Sequence, residues 1–242
     1  MAESKSRQIY RSRISYVAQH LQATDAGLCL LRKEAKKNSN AGKQLNDLLP
    51  AKNYTELNHP VSEETRIINY SRSMNVEFAI IAIYRHFSEY LLSILAEMYH
   101  KKPMLVISKA GETLSVTYPN IVNAGSYENL VDEMVNKVFR RLEEMKSMPK
   151  MLDKILKGTE VSLTNTIKRD AMIYLEMRHL IIHNNSLCDH KYEKEYGVET
   201  CLKKGHKLVR KIETANKAIE AVSRLVEQID EQLLAKQLLE TI

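Results

Sequence analysis

Residues 78–99, FAIIAIYRHFSEYLLSILAEMY, contain the longest uninterrupted apolar run of the chain, Phe78 to Tyr84. The helical pattern extends upstream to Ser62, a residue type that favours helix N-termini, and acidic residues follow it directly. Apolar side chains would cover most of the circumference of such a helix, and a helix that is apolar all round is normally buried. We therefore predict one long central helix from about residue 62 to residue 99.

Five further segments carry apolar residues at helical spacing: residues 7–37, 126–145, 149–156, 162–184 and 212–234. The last is the most regular, because its apolar residues alternate in steps of three and four, the pattern of helices packed side by side. These residues are Ile212, Ala215, Ile219, Val222, Val226, Ile229 and Leu233. Gly27 is expected to weaken the first helix, and residues 38–59 are predicted to form a loop. The Pro, Gly and β-branched residues of 104–125 permit a short hairpin.

Composition supports an all-α fold with four to five long helices in a single domain over residues 1–242. Only seven Gly and five Pro occur in 242 residues, which disfavours a β-sandwich, a dinucleotide-binding fold and a disordered chain. The apolar run at 78–84 is far shorter than the roughly 18 residues of a membrane span. Three Cys and the lack of an N-terminal apolar stretch predict a cytoplasmic protein without disulfides, signal or membrane segment.

Charge gives the first indication of a ligand. The formal net charge is +6, and five basic residues with no acidic one fall between residues 201 and 212. They are Lys203, Lys204, Lys207, Arg210 and Lys211. Such a stretch suits a polyanion such as RNA, and it also fits a solvated lysine-rich loop.

Residues 176–185, EMRHLIIHNN, place an Arg and a His five positions apart, with a polar residue after the Arg and two Asn after the His. This segment resembles the signature of the HEPN superfamily, and of its RNA-ligase-associated type in particular. The resemblance extends to the acidic and aromatic residues 189–196, the Gly-led basic piece 205–209 and the closing helix, and it covers about residues 63–235. Ser186 stands where such proteins usually have Gly.

The physical chemistry of this segment also points to a cleft or an interface. Arg178 lies on the apolar stripe of its helix, where a charge is costly unless it is paired or faces a groove. Residues five apart on a helix differ by about 140° in direction, so Arg178 and His183 reach one point only if the helix ends near His183 or if two copies share a groove. The resemblance implies the second arrangement, a homodimer with the groove at its interface.

The resemblance implies a metal-independent endoribonuclease that needs no cofactor and uses the ribose 2′-hydroxyl as nucleophile. His183 would act as general acid or base, and Arg178 would stabilise the charged phosphorus, since an Arg fork matches phosphate oxygens. His179, Asn184 and Asn185 would orient His183 or the phosphate, and Glu89 would lie against Arg178. The resemblance further implies a prokaryotic toxin or phage-defence setting, with RNA, a second copy and an antitoxin or regulatory protein as partners.

Several alternatives remain open at the level of sequence. His183 and the two Asn could simply cap a helix whose Arg178 sits in a buried ion pair, or the bundle could bind RNA, a nucleotide or a protein without cleaving anything. A metal could be held by Glu176, His179 and His183. It could also be held by a mixed thiolate and imidazole set: Cys188, His190, Cys201 and His206. The second Arg–His pair, Arg13 and His20, lacks the flanking Asn residues and is interpreted as a coincidence.

Overall fold

The computed structural model describes residues 2–39, 42–50, 54–102, 117–144 and 147–242. These ranges contain eight α-helices and, in place of β-strands, only isolated β-bridges. The all-α prediction is therefore confirmed. The helices are α1 (Lys5–Lys37), α2 (Glu64–Lys101), α3 (Tyr118–Ala124), α4 (Tyr127–Glu143), α5 (Met148–Leu156), α6 (Asn165–His183), α7 (His190–Thr200) and α8 (Ile212–Ala235).

Helix α2 is the centre of the bundle, as its apolar circumference predicts. It packs against α1, α4, α6 and α8, and its middle turns bury Ile83, Phe87 and Ile94 completely. Its length and hydropathy alone would also suit a membrane span, but more than half of the apolar window is buried inside the bundle. Core packing therefore accounts for more than half of the apolar window, while Phe78 of the same helix stays exposed.

The two other long helices follow the sequence patterns closely. Helix α1 runs through Gly27 without a break, and open space surrounds the position where a Cβ would stand. Helix α8 buries Ala215, Val222 and Ile229 from its predicted stripe, while Ile212 and Ile219 are partly buried. The stripe packs against α2 and α6, so the predicted side-by-side packing is found.

Local differences from the sequence predictions have simple causes. A short 3-10 turn at Val61–Glu63 precedes α2, so Glu63 rather than Ser62 is the N-cap. Residues 118–124, the C-terminal end of the segment in which a short hairpin is expected, form α3, which starts with a capping box between Thr117 and Asn120. The rest of that segment, residues 104–116, lies outside the described residues. The sequence pattern does not predict helix α7, because its residues are mostly polar and carry no apolar stripe.

A buried carboxylate fastens the start of α1 to α8. Asp230 is fully buried, and its carboxylate accepts hydrogen bonds from the backbone N–H of Ser4 at 3.0 Å and from the Ser4 hydroxyl. Ser4 is also the N-cap of α1, where its side chain accepts from the N–H of Arg7. The hydroxyl of Tyr90 on α2 reaches the same carboxylate at 3.5 Å. Three helices thus meet at one polar group.

We expect Asp230→Ala to lower the free energy of unfolding by about 3 kcal/mol, because two buried donors of Ser4 lose their acceptor. Urea denaturation measures the loss. Asp170→Ala is the control, since Asp170 is exposed and its ion pair with Arg224 at 3.7 Å should contribute less than about 0.5 kcal/mol. Equal losses in the two variants would show that Asp230 does not fasten the helices.

Candidate active site

Arg178 is half-buried on α6 and lies against an aromatic ring of α2. Its guanidinium carbon is 4.8 Å from the centre of the Tyr84 ring, within the range of a cation–π contact. Among the side chains that the structure describes, no carboxylate lies within 4.0 Å of this guanidinium. The buried ion pair of the alternative interpretation is therefore not found there, and the charge faces a groove instead.

The groove beside Arg178 brings together the residues singled out by the sequence. It has a volume of about 290 Å³ and is open to solvent. The described residues that line it are Tyr84, Ser147, Met148, Leu175, Glu176, Arg178, His179 and His183. Helix α6 ends at His183, so Arg178 and His183 line one groove within a single protomer. The rings of His179 and His183 are exposed, and their centres are 4.9 Å apart.

The two Asn that follow His183 shape the turn that ends α6. The N–H of Asn184 donates to the carbonyl of Leu180, and its side-chain amide donates to the carbonyl of Leu187 at 2.7 Å. Asn185 is exposed at a φ of +50°. Asn184 therefore supports the backbone beside His183, and orienting a phosphate remains a prediction for Asn185.

Ser186 connects this turn to α2 and to the C-terminal segment. It is buried, its φ is +60°, and its hydroxyl donates to the carboxylate of Glu77. The same carboxylate pairs with Arg210 at 2.9 Å. The Leu208 N–H donates to the Ser186 carbonyl at 2.8 Å, and Leu187 pairs with Lys207 in an isolated bridge. The end of α6 is thus held from two sides.

The predicted basic stretch divides into one engaged residue and four exposed ones. Arg210 is partly buried and pairs with Glu77, and its predicted contact with RNA stays a prediction. The side chains of Lys203, Lys204, Lys207 and Lys211 are exposed. Because Lys207 pairs with the turn after His183, this part of the stretch lies next to the end of α6.

Glu89 does not lie where the resemblance places it. Its carboxylate accepts from Arg13 on α1 and is 3.0 Å from Nδ1 of His86, whereas Arg178 contacts Tyr84. Partial burial would raise the pKa of Glu89, but the His86 hydrogen bond and the charge of Arg13 lower it below its usual value. The expectation that Glu89 faces Arg178 is therefore corrected.

Neither metal-binding alternative is assembled. Across the described residues, no group of three or more His, Cys, Asp or Glu side chains is placed to hold a cation. Glu176 instead accepts from the Met148 N–H at 3.0 Å and pairs with Lys191. Cys188 is buried, which raises the pKa of its thiol, whereas Cys201 is exposed at the end of α7.

Comparisons with known proteins add no relative. No family model matches the chain, and no curated protein and no solved structure matches it. The HEPN resemblance therefore rests on residues 176–185 and on the order of the pieces that follow them.

The positive φ of Ser186 predicts an unusual order of stability between two variants. Both Ser186→Ala and Ser186→Gly lose the hydrogen bond to Glu77, but only Gly adopts the left-handed conformation without steric cost. We expect Ser186→Gly to be the more stable variant by about 1 kcal/mol in urea denaturation. An Ala variant as stable as the Gly variant would contradict the left-handed turn.

Proposed function

We propose that this protein is a metal-independent endoribonuclease of the HEPN type. The observation that carries the proposal is the groove lined jointly by Arg178, His179 and His183. It combines a cation with no carboxylate partner among the described residues and two solvent-exposed imidazoles. Guanidinium and imidazole together are suited to phosphate chemistry, because one binds the anion and the other transfers protons.

The reaction would use the 2′-hydroxyl of the substrate as nucleophile. His183 removes the proton from that hydroxyl, the 2′-oxygen bonds to phosphorus, and the bond to the 5′-oxygen breaks. His179, the neighbouring imidazole, supplies a proton to the leaving 5′-oxygen. Arg178 donates to the phosphate oxygens as negative charge develops on them. The products are a 2′,3′-cyclic phosphate and a 5′-hydroxyl, and no metal ion is required.

The surroundings of the groove support RNA as the substrate. Lys207 lies beside the end of α6 because it pairs with Leu187, and Lys203 and Lys204 precede it in the same exposed segment. Lysines spaced along a segment attract a phosphate backbone without reading its sequence. Lys203, Lys204, Lys207 and Lys211 would therefore hold the flanking phosphates.

A second copy of the chain would complete the site. Ile182 lies on α6 between the groove residues and is exposed, so it offers an apolar contact next to the groove. A two-fold pairing through this face would bring two Arg–His pairs together in one trench. A homodimer restrained by an antitoxin or regulatory protein, acting in the cytoplasm as a toxin or defence nuclease, completes the proposal.

We expect His183→Ala and Arg178→Ala to reduce cleavage of total RNA by about 100-fold or more, since each removes a group that acts on the reacting phosphate. Circular dichroism and sedimentation should match the wild type, because the apolar core and Ile182, the contact proposed for the pairing, are unchanged. The ends of the fragments are to be identified chemically, with and without a chelator, and cyclic phosphate ends insensitive to the chelator are expected.

His190→Ala is the matched control, since His190 is an exposed imidazole outside the groove. Its cleavage rate should equal that of the wild type. Fragments with 5′-phosphate and 3′-hydroxyl ends would refute the mechanism. A wild type that leaves RNA intact would instead favour a bundle that binds RNA, a nucleotide or a protein without cleaving it.

A further inference from the structure

A second groove lies between α1 and α2 and contains residues to which the proposed reaction gives no role. Its volume is about 480 Å³, within the range of small-ligand sites. The described residues that line it are Arg13, Tyr16, Val17, His20, Phe78, Ala79, Ala82, Arg85 and His86. Both members of the Arg13–His20 pair, interpreted from the sequence as a coincidence, therefore face this groove.

The groove is aromatic at its surface and shallow at its base. Tyr16 on α1 and Phe78 on α2 are 67% and 57% exposed, and a Phe side chain is normally buried. The remaining apolar positions, Val17, Ala79 and Ala82, carry small side chains that leave the depression open. A flat ring placed here would stack on an aromatic face and cover apolar surface that water now contacts.

One side of the groove carries more positive than negative charge. Arg13 and Arg85 both approach the single carboxylate of Glu89, Arg85 at 3.8 Å. His86 is nine-tenths buried, and its Nδ1 bonds to that carboxylate too. One carboxylate cannot satisfy the ten N–H donors of two guanidinium groups, so several donors remain for an anion. Glu89 thus pairs with Arg13 and lies near Arg85 without neutralising both.

We propose that the groove between α1 and α2 binds one nucleotide unit of a single-stranded RNA. Tyr16 and Phe78 stack on the base, and Arg13 and Arg85 bind the adjoining phosphate. The strand must be single, because the faces of paired bases are hidden in the duplex stack. RNA as the ligand rests on the proposed function, but binding at this groove does not require that the Arg178 groove cleave it.

The test is a titration followed by fluorescence polarisation, with a fluorescein-labelled ten-nucleotide RNA and its duplex form as probes. The protein carries His183→Ala so that the probe stays intact. Added to this background, Arg85→Ala and Phe78→Ala should each weaken binding of the single strand by about tenfold, the usual value of one lost stacking or charged contact. Arg85→Ala should also reduce the slope of affinity against salt by about one.

The controls are Arg11→Ala on α1 and Tyr127→Ala on α4, whose exposed fractions of 68% and 56% match those of Arg85 and Phe78. Neither lines the groove, so both should bind as the background does. If all four variants bind alike, or if the duplex binds as tightly as the single strand, the proposal fails.

Two further outcomes would also overturn it. If Phe78→Ala changes the sedimentation coefficient and leaves the affinity unchanged, the groove is an interface between copies of the chain. If AMP displaces the probe completely at micromolar concentration, the ligand is a free nucleotide rather than a strand. A wild type that binds as expected but does not cleave would refute the proposed reaction alone.

Discussion

The burial of α2 is the constraint on which the rest of the molecule depends. A helix with apolar side chains around most of its circumference is stable in water only when other helices cover it. Helices α1, α4, α6 and α8 provide that cover, and each therefore needs an apolar stripe that fits the surface of α2. The strip of α2 between α1 and α6 remains partly open, and both grooves lie along its sides.

The same constraint explains how much of the fold the sequence predicts. The apolar stripe of α8 and the apolar circumference of α2 are local patterns, and the spacing of apolar residues along the sequence is enough to identify them. Helix α7 carries no such stripe, and it is held by the Asp189 cap and by contacts of Tyr192, whose hydroxyl donates to the carbonyl of Ile173 at 3.0 Å. The cap is a local contact, whereas the hydrogen bond to Ile173 joins residues of two helices 19 positions apart; apolar periodicity reveals neither of them.

The candidate site shows the same division between local and distant information. The spacing of Arg178 and His183 and the end of α6 at His183 are features of ten consecutive residues, so they can be predicted from the local sequence. The side chains that contact this segment cannot be predicted from those ten residues. Tyr84, which contacts Arg178, and Glu77, which accepts from Ser186, come from a helix about 100 positions earlier, and the sequence pattern gives no sign of their role. The predicted contact of Glu89 with Arg178 is wrong for the same reason. A position on α2 does not reveal which of the neighbouring helices its side chain faces.

The two grooves are related through the geometry of α2. Tyr84 contacts Arg178 in one groove, and Arg85, its neighbour in the chain, lines the other. Consecutive residues on a helix point about 100° apart, so the grooves lie on adjacent sides of the same turn of α2. An RNA strand lying across this turn, as the two proposals require, would meet Arg85 and Arg178 in succession, and the helix would fix the spacing between the proposed nucleotide site and the proposed cleavage site. Because α2 is held by the core on its other sides, that spacing would not change when RNA binds.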